Sequence, residues 1–314
     1  MRLISDPKNT CKQMIVAAAA LAVFLLPAFA SVARAADSGA DAAEPKWYFG
    51  LNVPVMFIDD SDSVERGQVQ QPGLPLPIPY KADALTEYAT GYRVSGVIGR
   101  EFSNGLRLDW ELFFARAKVD KLIYKGRTTT LPTPQGPMTI DIPDDHSIPV
   151  SGSASQLGAM VNLWYDFNPG SKWRPYIGGG FGLVKVDWGD VKYNRDEVAR
   201  GAAHQLALIF ACQQAGQAPG CTLPPQVQQG VLMQTDQQLM GTVPDLSGTD
   251  TVFAFQLGAG VGYAYSDAVT IQVGYRMLNA SDLEFSGKSA MGSTATATTE
   301  MLVHLFEIGI RYRF

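Results

Sequence analysis

Alternation with period two, carried to the last residue, constrains this chain more than any other feature. In HLFEIGIRYRF every second side chain counted back from the end is apolar: Phe314, Tyr312, Ile310, Ile308 and Phe306. The interleaved set is Arg313, Arg311, Gly309 and Glu307. Period two puts each set on its own face of a β-strand. A chain end is usually frayed and polar, so a terminus this regular belongs in a sheet with no loose edge. From Lys46 onward the alternation defines eight runs: Trp47 to Ile58, about Thr86 to Arg100, Leu106 to Val119, Ser155 to Phe167, 173–188, Thr251 to Tyr265, Ala268 to about Asn279, and Thr299 to Phe314. Each is at least as long as the roughly 9–11 residues a tilted strand needs to cross a bilayer. Strands of soluble proteins run to about 5–6.

The connections alternate in length. EFSNG, with the hairpin signal Asn104-Gly105, joins runs two and three; NPGSK joins four and five; Ser266-Asp267 joins six and seven. Between them lie long segments: the Pro-rich 59–85, then 120–154, 189–250, and 286–298 of Gly, Ser, Thr and Ala. Short turns on one side and long loops on the other match a transmembrane barrel, and an even strand number leaves both termini on the short-turn side. A soluble lipocalin-like barrel also alternates, with its apolar face inward. Three features favour the membrane form. The strands are of membrane length. The polar face is rich in Gly and mixed charges, which suits a narrow, packed lumen. Aromatic residues gather at strand ends, with Trp47, Phe102, Phe167, Trp173, Tyr265, Tyr312 and Phe314 towards the turns and Phe57, Phe114, Trp188 and Phe253 towards the loops. The expected fold is all-β: an eight-stranded antiparallel up-and-down transmembrane β-barrel with long extracellular loops.

Composition agrees. Charged residues are 18 % of the chain, below the roughly 25 % of a typical soluble domain. A net charge of −5 gives no basic footprint, so nucleic acid is not an expected partner. The one long apolar run is N-terminal. Arg2, Lys8 and Lys12 precede IVAAAALAVFLLPAFA, and Ala33-Arg34-Ala35 offers small residues for cleavage, so residues 1–35 read as a secretory signal peptide. An uncleaved anchor is the other reading, but the run is short and contains Pro27. Residues 36–45 read as a short periplasmic tether and 46–314 as the barrel. Cys212 and Cys221 fall in the insert 189–250, and an oxidising compartment favours a disulfide over two free thiols.

At this point the chain resembles the small eight-stranded outer-membrane barrels of Gram-negative bacteria, of the opacity-protein and surface-antigen type, with a broader likeness to the OmpA-type transmembrane domain. RPYIGGGFGLVKV, FQLGAGVGYAYSDAVTIQVGYRML and the terminal FEIGIRYRF carry the likeness. The resemblance implies location in the outer membrane, outer-membrane lipid as surroundings, and recognition of a terminal Phe by the barrel-assembly machinery. Phe314, Tyr312 and Ile310 are then the expected assembly signal.

Candidate functional residues fall in three places. The inward face carries Arg93, Arg107, Arg174, Arg276, Arg311 and Arg313 against Asp109, Glu111, Asp166 and Glu307. A salt-bridged plug and a charged pore are both open readings, and the need to pair buried charges favours the plug. Asp166 is expected opposite Arg174, and Arg276 beside Glu307. The insert 189–250 reads either as a disulfide-stapled helical hairpin that binds an extracellular ligand or host surface, or as a variable surface loop. The three histidines, His146, His204 and His304, form no cluster with a nucleophile at one expected height, so no catalysis, metal or cofactor is expected. DDSD at 59–62 and DDH at 144–146 read as solvated loop tips rather than cation sites. The expected role is a structural or surface-antigen barrel with recognition in its loops. The alternative is a small porin-like channel.

Overall fold

The computed structural model describes residues 46–69, 77–133, 136–142, 146–189, 191–193, 204–216, 221–239, 244 and 246–314. The leader 1–35 and tether 36–45 lie outside them, as do Asp144-Asp145 and parts of the insert. In chain order the elements are β1 (Lys46–Ile58), β2 (Ser61–Val69), β3 (Ile78–Tyr88), β4 (Gly91–Glu101), β5 (Leu106–Tyr124), β6 (Arg127–Thr133), β7 (Gly136–Ile142), β8 (His146–Ser151), β9 (Ser153–Asp166), β10 (Trp173–Asp187), β11 (Lys192–Tyr193), α1 (His204–Gln214), α2 (Pro225–Leu239), β12 (Thr249–Ala264), β13 (Val269–Lys288) and β14 (Thr294–Arg313).

Eight of these strands close a ring. Each of β1, β4, β5, β9, β10, β12, β13 and β14 pairs antiparallel with the next, and β14 returns to β1 in a ladder from Tyr48↔Arg313 to Ile58↔Val303. Closure leaves no edge in the ring, which is what a sheet surrounded by lipid requires. The β4–β5 turn rests on Gly105, whose φ of 88° lies in the left-handed region and where an added Cβ would sit 2.4 Å from the Asp166 carbonyl oxygen.

Three long connections are more ordered than their composition predicts. The Pro-rich 59–85 holds β2 and β3, a hairpin that continues the wall above β1 and β4 by pairing with β14 on one side and β5 on the other. The 120–154 segment contains the end of β5, the separate β6–β7 hairpin, and β8, which pairs with β5 and β11. In the 286–298 segment β13 and β14 run on until they meet at a turn closed by Ser289 and Ser293.

The two faces of the long strands exchange character part-way up. In β5 the outward Leu106, Leu108, Trp110, Leu112 and Phe114 give way to Arg116, Lys118 and Asp120. Its inward Arg107, Asp109 and Glu111 give way to Phe113, Ala115, Ala117 and Val119. In β14 the outward Tyr312, Ile310, Ile308 and Phe306 are followed by His304, Leu302 and Glu300, and the inward Arg311 and Glu307 by Leu305, Val303 and Met301. The lower half is therefore built for lipid outside and polar groups inside. The upper half is built for water outside, around an apolar core that includes Met56, Phe113, Met160, Val184, Leu278, Phe285, Met301 and Leu305. A bulge between Ala280 and Leu283 keeps β13 in phase with that core. At about 3.4 Å per residue the 20 residues of β14 far exceed the roughly 25 Å lipid band of such barrels, so about half of each long strand stands above the membrane.

Candidate functional site

The lower lumen brings together eight of the ten charged residues that the alternation places inside. Arg93, Arg107, Arg276 and Arg311 are buried against Asp109, Glu111, Asp166 and Glu307, four cations to four anions. Glu111 on β5 is the hub. Its Oε1 accepts from Arg93 Nη2 at 2.7 Å, and its Oε2 from Arg276 Nη1 at 2.8 Å, Gln256 Nε2 at 2.9 Å and Asn162 Nδ2 at 3.0 Å. Arg276 Nε donates to Glu307 at 2.9 Å, the neighbouring-strand pair that the sequence suggests. Asp109 accepts from Tyr48 Oη at 2.7 Å and from Asn162 at 2.8 Å. Each carboxylate is thus met by guanidinium, amide or phenol donors, the condition under which charge is tolerated away from water.

Asp166 does not face Arg174. Arg107 Nη2 reaches Asp166 at 2.8 Å, and Arg311 lies 3.5 Å from it. The reason is register. Tyr176 sits opposite Asp166, which puts Arg174 one inward step lower, at the periplasmic rim. There Arg174 and Arg313 share Glu101, at 3.4 Å and 3.0 Å. Glu101 is the functional residue that sequence reading missed. It is the last inward position of β4, immediately before the turn, where a carboxylate reads as part of the EFSNG loop.

Aromatic rings tile the network. Arg276 lies 4.8 Å from the Trp164 ring centroid, and Arg93 lies 3.5 Å from that of Phe113, where charge meets the apolar core. The glycines of β10 make room for these side chains: a Cβ on Gly180 would fall 2.0 Å from Asn162 Oδ1. What remains beside Tyr48, Asn52, Arg107, Asp109 and Arg311 is a cavity of about 10 Å³, about the size of one water.

The stems of the insert close the top. Trp188, expected in the outer aromatic girdle, instead turns inward, stacks on Phe285 at 4.6 Å and meets Tyr88 edge-on at 6.3 Å. Trp188 keeps the inward phase of Val184 and Val186 on β10, and above the reversal of the two faces that inward side is the apolar core. Val191 is buried in the same cluster, and Leu246, on the other stem, is buried against Ala84, Leu122, Ala295 and Ala297. Within the insert, α1 and α2 pack on each other. Cys212 and Cys221 form a bonded pair near the turn, with Cα atoms 5.9 Å apart, and His204 Nε2 lies 2.6 Å from Asp236 at the other end.

At the C-terminus Ile310, Tyr312 and Phe314 project outward from the lower rim, and Phe314 N donates to Trp47 O at 2.9 Å. Of DDSD, Asp59 meets His304 at 3.1 Å and Asp62 meets Lys125 at 2.6 Å. Among the described residues no group of three His, Cys, Asp or Glu could hold a metal ion. No described helix is long and apolar enough to cross a membrane, which says nothing against crossing by strands.

Several solved structures resemble the chain at low identity. Neisserial surface protein A is 14 % identical, with 87 % of this chain and 99 % of that one covered at a TM-score of 0.34. The outer membrane protein OprG from Pseudomonas aeruginosa is 11 % identical, with 87 % and 96 % covered at 0.40. The attachment invasion locus protein Ail of Yersinia pestis is 10 % identical, with 83 % and 99 % covered at 0.23. Likenesses this distant bear on no further point. No curated protein sequence matches the chain. The family model of the outer membrane protein beta-barrel domain matches residues 16–314, nearly the whole chain, and the chain belongs to that family.

Proposed function

We propose that this outer-membrane barrel is a sealed structural platform that presents recognition elements at the cell surface. The filling of the lumen is the observation that supports this reading. A charge-balanced network occupies the lower half, apolar side chains the upper half, and the space left among the charges is about 10 Å³. A hydrated ion finds no continuous polar path through such an interior, and balanced charges give no field that selects one sign. The porin-like alternative needs the apolar layer to open.

The recognition elements are the β6–β7 hairpin and the stapled pair α1–α2, both borne above the water-facing half of the barrel. Nothing in their chemistry names a ligand, and an extracellular ligand or a host surface both fit. No group in the lumen is placed as a nucleophile, so the reading is a non-catalytic protein. Outer-membrane lipid surrounds the lower half, and delivery by the barrel-assembly machinery through Phe314, Tyr312 and Ile310 is part of the proposal.

Planar-bilayer recording of the refolded protein tests the sealed lumen. The expected outcome is no conductance steps. Reproducible steps that disappear with the inserted protein would replace this reading with the channel. Deletion of residues 189–250, scored for cell adhesion against loss of β6–β7, then tests which element carries recognition.

A further inference from the structure

On the lower half of the ring, between the two aromatic girdles, the outward positions are apolar, aromatic, Gly or Pro with one exception, Arg100 on β4. Its cross-strand partners, Trp47 on β1 and Leu108 on β5, both belong to the lipid-facing set. Its guanidinium carbon lies 5.9 Å from the Trp47 ring centroid and 5.8 Å from that of Phe102. Nε is buried without a hydrogen-bond partner. Glu101, the adjacent carboxylate, faces the other way and is occupied by Arg174 and Arg313. Among the described residues Arg100 has no ion-pair partner.

Height decides what such a charge can meet. Phe314 bonds through its backbone to Trp47, so Arg100 lies level with the chain terminus, at the periplasmic girdle. A cation on the lipid face is strongly disfavoured at the bilayer centre and tolerated at headgroup depth, where an anion is within reach. A guanidinium presents a planar fork that matches two phosphate oxygens. The flanking rings fix the fork through cation–π contact, and the exposed Trp47 offers apolar surface to the start of an acyl chain, while Phe102 is buried.

We propose that Arg100, framed by Trp47 and Phe102, binds the phosphate of a phospholipid headgroup in the periplasmic leaflet. The site anchors the barrel rim to a specific lipid where the rest of the lower wall is held by non-directional burial alone.

Solid-state magnetic resonance on protein with isotope-labelled arginine, reconstituted in phosphatidylethanolamine and phosphatidylglycerol vesicles in phosphate-free buffer, tests this directly. A guanidinium signal dephased by lipid phosphorus is expected in the wild type, lost in Arg100→Gln and kept in Arg66→Gln, whose side chain lies on the exposed upper wall. Unboiled gel mobility checks that each variant is folded. Arg100→Lys keeps the charge without the fork, so native mass spectrometry should show several-fold less retained phospholipid than the wild type. No dephased signal in the wild type, a signal that persists in Arg100→Gln, or equal dephasing by inorganic phosphate in lipid-free detergent would each overturn the proposal.

Discussion

Among the described residues Glu111 accepts four side-chain hydrogen bonds, and it is the side chain whose loss is most informative. Four donors converge on its two oxygens, two of them guanidinium groups buried away from bulk solvent. Truncation to Ala strands Arg93 and Arg276 beside each other, although Arg276 keeps Glu307. Breaking a buried pair from one side costs about 3–5 kcal/mol, and denaturant unfolding in detergent micelles should show a loss of that order for Glu111→Ala. Glu111→Gln keeps part of the hydrogen bonding and should lose less. Adding Arg93→Met to Glu111→Ala should recover stability, because it removes one of the stranded charges. An Ala variant as stable as the wild type would mean that the network fills space without holding the wall together.

Among the elements, the described links between the α1–α2 segment and the barrel lie in its stems, at Trp188, Val191, Leu246 and the short β11 paired with β8. Loss of the Cys212–Cys221 bond should therefore be a local event. A short closed loop of this kind contributes about 2–3 kcal/mol in the chain-entropy view. Limited proteolysis of a Cys212→Ser, Cys221→Ser variant should cut within α1–α2 sooner, with the heat-modifiable gel shift of the barrel unchanged. Failure of that variant to reach the membrane would show the insert to be part of the barrel's own folding. The eight ring strands were legible in the sequence because lipid on one side and a packed lumen on the other impose strict alternation, as in β5 from Leu106 to Phe114. Beyond Phe114 the alternation continues with its sense reversed; it reads as strand through Arg116 and Lys118 to Val119, and from Asp120 the chain reads as a loop although β5 runs to Tyr124. The β2–β3 hairpin was hidden for a related reason. Its inward residues are small or polar, Ser61, Ser63 and Glu65, and Glu65 is held by Tyr80 and Tyr124 rather than by apolar packing, so no hydrophobic period marks it. The lumen charges were legible as a set, and so was the Arg276–Glu307 pair, whereas the partner of Asp166 was not. A shift of one inward step in register decides whether Asp166 meets Arg174 or Arg107.

At the scale of the whole molecule, the C-terminal strand closes the ring against β1, and the proposed function gives its end a second, separable duty as the signal for the cell's assembly machinery. Phe314 lies past the last ladder pair and is well exposed at 67 %, so its own packing is a small part of the wall. Its deletion should lower the amount of protein in the outer membrane of cells, with refolding into detergent nearly intact. Phe255→Ala, mid-wall on the same apolar face, should show the reverse: normal delivery and a stability lower by about 1.5–3 kcal/mol at most. Full outer-membrane levels after deletion of Phe314 would reduce the terminal pattern to lipid contact alone. The reversal of the two faces at Phe113–Phe114 also gives the protein a waterline. If it sank by one inward–outward repeat of a strand, Arg116 and Lys185 would enter hydrocarbon; if it rose by as much, Phe57, Phe114 and Phe306 would be left in water. Both directions cost free energy, so the barrel floats at one draught. Everything above Leu305 in β14 is then freeboard, about 30 Å of it for a strand tilted near 40°. The chain leaves for α1–α2 and for β6–β7 from strands that end above that line, so the level at which a β-strand changes solvent sets where those elements start.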